Sequence, residues 1–305
     1  MIWQVRTAVM FIVMTIILVA VGWLVGWFFG QMWIGMIAML SLAVVFNVYA
    51  YFFSKKSALR ANKVRIVSEA EEPRLYAIVR KVSEKAGVPM PEVGVSELAM
   101  PNAFATGRNP KNAAVVATRG ILGLLKDDEL EGVIAHEISH IKNRDILVMT
   151  VASTMAAVLS FLGRWAFWMA FTGNQRSIYM VIVALVVSVT IPIAAILVQL
   201  GISRNREYLA DESGAKITGN PRALARALQS IEGGVKAPSS DYSNTSYESL
   251  WISNPISNKN YFRKLFSTHP PMDDRIARLM DLAAKMDSER TPRQTDPFSK
   301  KDRPY

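Results

Sequence analysis

The chain has 305 residues, a formal net charge of +10, and 51% hydrophobic residues against only 20% charged ones. Its mean hydropathy is +0.20. A soluble domain of this size usually carries more charge, so these values favour a membrane protein. The chain contains no cysteine, which excludes disulfides, thiolate metal ligands and a cysteine nucleophile.

Two uncharged apolar stretches near the start of the chain predict a membrane hairpin. Residues 7–29 and 32–53 are each long enough to cross a hydrocarbon core of about 30 Å. The first is too long for a cleavable signal peptide and runs almost directly into the second, so we expect a retained anchor. Gly22, Gly26 and Gly30 repeat every four residues, which indicates either a homo-oligomer face or the small residues of an ordinary span.

Two further apolar stretches predict a second membrane hairpin. The third predicted span, residues 146–162, is at the short limit for a crossing, so a buried helix of a soluble domain is the alternative. The fourth predicted span covers residues 178–200, where Pro192 would kink the helix.

Basic residues after the second span predict the orientation of the protein. A cluster of basic residues directly after a span matches the positive-inside pattern, which places that end in the cytosol, and it favours contact with anionic lipids. With four crossings, both termini and the hydrophilic segments lie in the cytosol. No nucleic-acid-binding motif accompanies the positive charge, so we do not expect nucleic acid as a partner. The basic residues concerned are Lys55, Lys56, Arg60, Lys63 and Arg65.

The hydrophilic segments predict several helices and a small sheet. Apolar residues at helical spacing predict a helix that ends at Gly87, and EVGVSE, NAFATG and AAVVATRG predict strands with a tight hairpin at GRNPKN. A further helix begins at Asp127 or Asp128, where Asp128 and Glu131 have the spacing of a capping box. After the fourth span, the pattern predicts a helix that ends at Gly219, then two more helices.

The sequence HEISH predicts a metal site. His136 and His140 lie one turn apart on a helix, so their imidazoles can converge on one Zn²⁺ ion per chain. Glu137 lies beside them and can accept a proton from the attacking water. A catalytic zinc ion normally has three protein ligands, so a third ligand is required. The alternative is a coincidental pattern in a solvated helix.

Membrane topology predicts the third ligand. Since the chain has no cysteine, this ligand is either His269 or a carboxylate. On a continuous helix His140 lies about 9 Å before the third span, and Glu207 lies at a similar height after the fourth. If these two spans pack side by side, Glu207 faces the histidine pair. Asp145 would point off the metal face of that helix, and Glu212 would point about 100° away from Glu207, so both are poorer ligands.

Two residues near Glu207 are predicted to support the site. Asp211 lies one turn further on and is placed to accept a hydrogen bond from a ligand imidazole, which fixes the tautomer of the ring. Arg206 is expected either to pair with Asp211 or to fix the helix. The alternative for the two acids is a charge cluster that only favours the helix dipole.

These elements predict an α+β membrane protein, mainly helical, with four transmembrane helices and a cytosolic zincin-like catalytic domain that contains a small β-sheet. The predicted segments are an N-terminal membrane hairpin, the first half of the catalytic domain, a second membrane hairpin, the second half of the catalytic domain and a disordered tail. Their bounds are 1–54, 55–145, 146–200, 201–287 and 288–305.

Several motifs together resemble the HtpX family of membrane-bound zinc metalloproteases, which is similar in clan to the CAAX prenyl endoproteases. They are the paired N-terminal spans, PNAFATG, HEISH before the third span, REYLAD after the fourth, and STHPP. The resemblance implies His136, His140 and Glu207 as ligands and Glu137 as general base. It also implies cleavage of misfolded or damaged membrane proteins at the cytosolic side of the cytoplasmic membrane, as part of quality control.

The same resemblance implies a substrate-binding strand. PNAFATG would form an edge strand on which Asn102, Ala103 and Phe104 contact an extended substrate through main-chain hydrogen bonds. A purely structural hairpin strand is the alternative. His269 in STHPP either stabilises the tetrahedral oxyanion or is a turn residue fixed by the following prolines. Two rival functions stay open: a prenyl-protein endoprotease, which would need more spans, and a scaffold that keeps its metal for stability.

Overall fold

The computed structural model of the chain describes residues 2–28, 30–157, 204–234 and 270–290, together with four single positions between 182 and 189. The strands in these residues are β1 Val64–Ile66, β2 Glu92–Ser96, β3 Ala103–Gly107 and β4 Ala113–Thr118. The helices are α1 Ile2–Phe28, α2 Met32–Ala61, α3 Pro73–Ala86, α4 Arg119–Leu124, α5 Asp127–Lys142, α6 Ile146–Ala157, α7 Arg204–Thr218, α8 Pro221–Gly234 and α9 Met272–Arg290.

The first two helices form an antiparallel hairpin. The turn between them uses Gly30, whose φ of 71° lies in the left-handed region that glycine adopts readily. A Cβ on Gly22 would collide with the backbone of Gly35, so the helices approach as closely as their backbones allow. Deeper in the hairpin, Asn47 Nδ2 donates to Thr15 Oγ1 over 3.0 Å. The glycine repeat of the first span therefore contributes to packing within the chain.

The structure describes nearly all of the first two predicted membrane spans but less of the third and fourth. Within the described ranges, α2 is the one helix long and apolar enough to cross a membrane, while Ala8–Trp23 and α6 are shorter apolar helices. The described part of α6 is buried and packs against the hairpin through Val151 and Met155, which join Met14 of α1 in one cluster. The rest of the third predicted span and most of the fourth lie outside the described residues.

The sheet is small, as the sequence predicts, and the structure shows that it is mixed. Its strand order is β1-β2-β4-β3, with β2 and β4 parallel and the two outer strands antiparallel to their neighbours. The predicted hairpin is present, since β3 and β4 are joined through a short 3-10 turn at Pro110–Asn112. The sequence did not reveal β1, which has only three residues and too short a pattern to detect.

The core lies between the sheet and helices α3, α5 and α8. Burying each of its large aliphatic side chains stabilises the fold by about 1.5–3 kcal/mol. Helix α5 is central, because nearly every residue after its first turn is buried. The core includes Leu75, Val79, Val93, Val115, Ile134, Ile138 and Leu228.

The helix ends agree with the predicted signals except at the start of α5. Helix α3 ends at Gly87, which has a left-handed φ of 69°. At α5, the N-cap residue is Lys126, whose backbone N–H donates to Glu129 Oε2 over 3.1 Å. Asp127 and Asp128 lie in the first turn instead, so the predicted cap was wrong by one or two residues. Helix α9 continues to Arg290, two residues beyond the start of the predicted tail.

Helices α5 and α6 are not continuous, in contrast to the expectation from the sequence. Helix α5 ends at Lys142, and Arg144 has a φ of 59° in the left-handed region. The chain then turns back, with Asp145 N donating to His140 O over 2.9 Å, and α6 begins at Ile146. Because of this break, Asp145 is not carried away from the metal face of α5.

Candidate metal centre

Three predicted ligands lie together where α5 meets α7. His136 Nε2 and His140 Nε2 are 3.3 Å apart. Glu207 Oε2 lies 3.6 Å from the first nitrogen, and Glu207 Oε1 lies 3.5 Å from the second. All three side chains are buried. Within the described ranges, they are the one group of three histidine or acidic residues that could hold a metal ion.

The spacing of these atoms fits a tetrahedral ion. Two ligands held about 2.0–2.1 Å from an ion in tetrahedral geometry lie about 3.3–3.4 Å apart. The two imidazole nitrogens are 3.3 Å apart, close to that value. Glu207 approaches the two nitrogens through different oxygens, at 3.6 and 3.5 Å, so either oxygen lies close enough to one imidazole to share an ion with it. Two imidazoles and one carboxylate also form a donor set typical of a catalytic zinc site.

A glycine allows α7 to bring its carboxylate this close to α5. Gly214 lies two turns after Glu207, and a Cβ placed there would be 2.8 Å from the backbone N of His136. Since that separation is shorter than a van der Waals contact, no side chain fits between the helices. The backbone-to-backbone approach at Gly214 therefore helps to set the width of the site.

His136 is held from behind by a carboxylate and an arginine. Its Nδ1 lies 2.8 Å from Asp211 Oδ1. Arg275 of α9 donates to both oxygens of Asp211, through Nε over 2.8 Å and Nη2 over 2.7 Å. Burial alone would raise the pKa of Asp211, but the charge and hydrogen bonds of Arg275 and His136 lower it. Asp211 therefore lies beside a candidate ligand imidazole, and its cation is Arg275, a residue that the sequence analysis did not single out.

The site favours positive charge. Burial acts to lower the pKa of His136, but the hydrogen bond and charge of Asp211, with a contribution from Glu207, outweigh it and raise that pKa to about 10. A metal cation would meet the same field of carboxylates. It would also compete with a proton for the same imidazole.

Glu137 faces the edge of the sheet. The backbone N–H of Ala105 in β3 donates to Glu137 Oε2 over 2.8 Å. Burial raises the pKa of this carboxyl and Glu207 adds to the effect, while the two histidines and the Ala105 N–H oppose it. A raised pKa suits a group that must both accept and return a proton near neutral pH.

His140 has an aspartate of its own. Asp145 Oδ2 lies 3.7 Å from His140 Nδ1, and Arg206 Nη1 lies 3.6 Å from Asp145 Oδ1. Where the sequence led us to expect Arg206 either to pair with Asp211 or to fix the helix, the structure shows a pairing with Asp145, while Arg275 donates to both oxygens of Asp211. Each imidazole is thus backed by an aspartate that lies next to a buried arginine.

The predicted substrate-binding residues lie on and beside β3, which is an edge strand of the sheet. Asn102 O accepts from Thr118 N over 2.9 Å, so the backbone groups of residue 102 point toward β4. By alternation, those of Ala103 and Ala105 point to the outer edge. Phe104 packs in a separate cluster with residues of α2 and α6. The structure therefore brings the outer edge of β3, but not the Phe104 side chain, toward Glu137.

Two features of the site could not be found from the sequence, and one predicted residue cannot be placed. Arg275 and Asp145 carry no motif that distinguishes them from exposed helix charges, although Arg275 lies six residues after His269 in the STHPP region. His269 itself lies outside the described residues.

A buried glutamate from a second helix facing an HExxH helix defines a metallopeptidase-type site. Residues 69–283 match the family model described as Peptidase family M48. The chain belongs to this family, and the protein is a metallopeptidase. The resemblance to HtpX proteases is thereby confirmed.

Its similarity to individual relatives extends over most of the chain. The Protease HtpX homolog of Thermococcus sibiricus is 47% identical over 258 residues, which cover 83% of this chain and 88% of that relative. The Protease HtpX homolog of Pyrococcus abyssi is 46% identical over 255 residues, with the same coverage of both chains. A crystal structure of S. mikatae Ste24p is 19% identical, with a TM-score of 0.47, over 79% of this chain and 57% of that chain.

Proposed function

We propose that this protein is a zinc-dependent endopeptidase of the cytoplasmic membrane that hydrolyses peptide bonds of misfolded or damaged membrane proteins on the cytosolic side. The observation that carries the proposal is the buried group of His136, His140 and Glu207, with Glu137 beside it. Its donor set and spacing fit one zinc ion per chain.

The chemistry follows from the position of each side chain. His136, His140 and Glu207 would hold the zinc ion, which would supply polarisation of the scissile carbonyl and a lowered pKa for the attacking water. Glu137 accepts a proton from the attacking water and delivers it to the leaving amine, a role that its raised pKa favours. Asp211 holds the His136 imidazole from behind over 2.8 Å, and Asp145 lies 3.7 Å behind that of His140, while both Nε2 atoms face Glu207. In the same scheme His269 stabilises the tetrahedral oxyanion.

The substrate is expected to bind as an added strand along β3. The outer-edge groups of Ala103 and the carbonyl of Ala105 supply main-chain hydrogen bonds, which give affinity with little sequence preference. Because Ala105 N–H lies 2.8 Å from Glu137 Oε2, a strand added here passes next to the general base. Asn102 adds a contact to a substrate carbonyl, and Phe104 holds β3 in place through its buried side chain.

A membrane location is supported by the surface of α2. Only 11% of its apolar window is buried, and large side chains such as Trp33 and Val45 are exposed along it. An exposed apolar surface of this length fits lipid contact. At the end of α2, Lys55 pairs with Glu92 over 2.8 Å, which offsets part of the basic cluster proposed to contact anionic lipids.

The orientation can be tested directly, because the chain has no cysteine of its own. A single cysteine at the exposed Glu84 should react with a membrane-impermeant maleimide only in inside-out vesicles. A single cysteine at the exposed Gln31, in the turn between α1 and α2, should react only in right-side-out vesicles. Labelling of both positions from the same side would show that the proposed topology is wrong.

The catalytic proposal is tested by measuring zinc content and cleavage of casein or an unfolded membrane protein in the same samples. The wild-type chain should hold one zinc ion and cleave. Glu137→Gln should hold one zinc ion and lose activity by roughly 10²–10⁴-fold, and Glu207→Ala should lose the ion. Glu131→Gln is the matched control, because Glu131 lies on the same helix and pairs with Lys81 and Lys85 at the surface.

Three results would contradict the proposal. Cleavage by Glu137→Gln at the wild-type rate would show that another group is the base, or that the activity is a contaminant. A full zinc equivalent in Glu207→Ala would show that the third ligand is a different residue. Zinc binding without any cleavage by the wild-type chain would favour a scaffold.

A further inference from the structure

We infer that Arg275 is a positioning residue of the metal centre: it fixes Asp211, and through Asp211 the imidazole of His136, in the orientation that metal binding requires. Since Arg275 belongs to α9, the C-terminal helix then becomes a structural part of the site. The inference rests on the proposed metal function and deepens it.

The contacts form one continuous series. Arg275 Nε donates to Asp211 Oδ2 over 2.8 Å, and Nη2 donates to Asp211 Oδ1 over 2.7 Å. Two parallel hydrogen bonds from a planar guanidinium fix the plane of the carboxylate as well as its position. Oδ1 of that fixed carboxylate lies 2.8 Å from His136 Nδ1. The proton of the ring is thereby held on Nδ1, and the lone pair of Nε2 faces Glu207 and His140.

Arg275 acts through Asp211 and not on the imidazole directly. Its Nη2 lies 3.4 Å from His136 Nδ1. When Nδ1 carries a proton and donates to Asp211, both of these nitrogens are donors and cannot hydrogen-bond to each other. The arginine has a second effect as well. Its fork occupies both oxygens of Asp211, which keeps this carboxylate from turning toward the metal as a competing ligand.

The burial of Arg275 argues against a role in anchoring α9 alone. The side chain is 0% exposed. Burying a guanidinium is unfavourable unless its charge is matched, and an apolar side chain would dock a helix without that cost. On the same helix, Leu279 already provides such an apolar anchor. A charge at position 275 is needed only if the carboxylate of Asp211 must be held.

One consequence is reciprocal coupling between the metal and α9. If docking of α9 improves zinc binding, zinc binding must stabilise the docked helix by the same factor. Zinc should therefore slow amide hydrogen exchange in residues 272–290 of the wild-type chain. The coupling should disappear when Arg275 is replaced, because the series of contacts is then broken.

The test uses the full chain in detergent and measures zinc affinity by competition with a chromophoric chelator, together with the visible absorption bands of the Co²⁺ form. Arg275→Met should bind zinc about 10–100-fold more weakly and alter the Co²⁺ bands, as expected for losing the support of a ligand. Arg275→Lys should give an intermediate affinity, because an ammonium keeps the charge but not the fork. Asp211→Asn combined with Arg275→Met should be no weaker than Asp211→Asn alone.

Arg278 provides the matched control. It lies on the same helix, with its guanidinium carbon 3.7 Å from the ring centroid of Tyr208 in α7, but it has no contact with Asp211 in the described structure. Arg278→Met should therefore weaken the contact between α9 and α7 and leave zinc affinity and the Co²⁺ bands unchanged. If Arg278→Met weakens zinc binding as much as Arg275→Met, docking of α9 alone explains the effect and the inference is wrong.

Other outcomes separate this inference from the proposed function. Wild-type affinity and bands in Arg275→Met, or additive losses in the double variant, would overturn the inference. If Arg275→Met does not fold, Arg275→Lys decides the question, since wild-type affinity and bands in that variant would also overturn it. If the wild-type chain binds zinc but cleaves nothing, the proposed function fails. The zinc affinities of the variants still test whether Arg275 acts on His136 through Asp211.

Discussion

Replacing Gly214 by alanine should widen the metal centre. The added Cβ would lie 2.8 Å from His136 N and 3.0 Å from His136 Cα, both on the backbone of α5. Ordinary van der Waals contact begins near 3.4 Å, so α7 must move away by about 0.6 Å. Glu207 lies seven residues earlier, on nearly the same face of α7 about 10 Å along its axis. The displacement therefore moves the third ligand away from the histidines.

The expected energy can be worked from the same contact. Overpacking against a rigid backbone costs about 1–3 kcal/mol. Alanine gains up to about 1 kcal/mol over glycine in a helix interior. Taking about 2 kcal/mol for the overpacking and about 1 kcal/mol for the gain, the net loss is about 1 kcal/mol. It falls on the metal-bound form, because that form needs the three ligands close together. Zinc binding should accordingly weaken by roughly fivefold.

The assay is the chelator competition, supported by thermal unfolding with and without zinc. Gly233→Ala is the control, because a Cβ at Gly233 in α8 would meet nothing within 4 Å. That variant should keep wild-type zinc affinity and be equally or slightly more stable. Wild-type zinc affinity in Gly214→Ala would refute the reasoning, since it would mean that helix separation at this glycine does not set the width of the site.

Four further predictions follow from other contacts. The pKa of His136 in the metal-free protein is raised from its ordinary 6.5 to about 10, so zinc must displace a proton from this ring. The affinity for zinc should therefore rise about tenfold per pH unit from about pH 6 to about pH 8. A zinc affinity that does not change over this pH range would contradict the expectation. The same shift stabilises the metal-free fold below pH 6.5, and this contribution is lost as the pH rises toward about 10, which denaturant unfolding can measure. Asp145→Asn should weaken zinc binding roughly tenfold through His140, and unchanged affinity would show that the 3.7 Å contact has no such role. Thr15→Val removes the hydroxyl that accepts from Asn47 and should destabilise the α1–α2 hairpin by about 0.5–1.5 kcal/mol. Unfolding in detergent measures this loss, and an unchanged midpoint would mean that water or lipid replaces the hydrogen bond.

The sequence predicted the elements whose signals are local. Helix α3 ends at Gly87 and α7 is followed by Gly219 because glycine takes the left-handed conformation there, and both residues are visible in the sequence. The approach of Glu207 to His136 and His140 was also expected, but the reasoning assumed a continuous helix into the third span, and the break after Lys142 contradicts that premise. At the helix ends, by contrast, a few neighbouring residues determined the outcome.

The features that sequence analysis missed depend on distant contacts or on unusual backbone. Arg144 adopts a left-handed φ without being glycine, and nothing in IKNRD marks a helix break. Arg275 sits in an amphipathic pattern where a charge normally faces water. Its partner Asp211 lies 64 residues away in the chain, so only the packed structure shows that the guanidinium is buried. Strand β1 was missed for a different reason: its three residues form too short a pattern to detect.

The break before α6 changes how the apolar part of the chain relates to the site. A continuous helix would have carried the chain straight from the metal ligands into the apolar segment, with Asp145 pointing away. The observed turn instead places Asp145 beside His140 and starts α6 directly after it. Further along α6, Thr150 lies within 3.3 Å of Thr106 in β3 and accepts from the Gly107 N–H over 3.4 Å. Helix α6 thus begins directly after Asp145, which lies beside His140, and also contacts β3, the proposed substrate strand. A shift of α6 should therefore move Asp145 and β3 together.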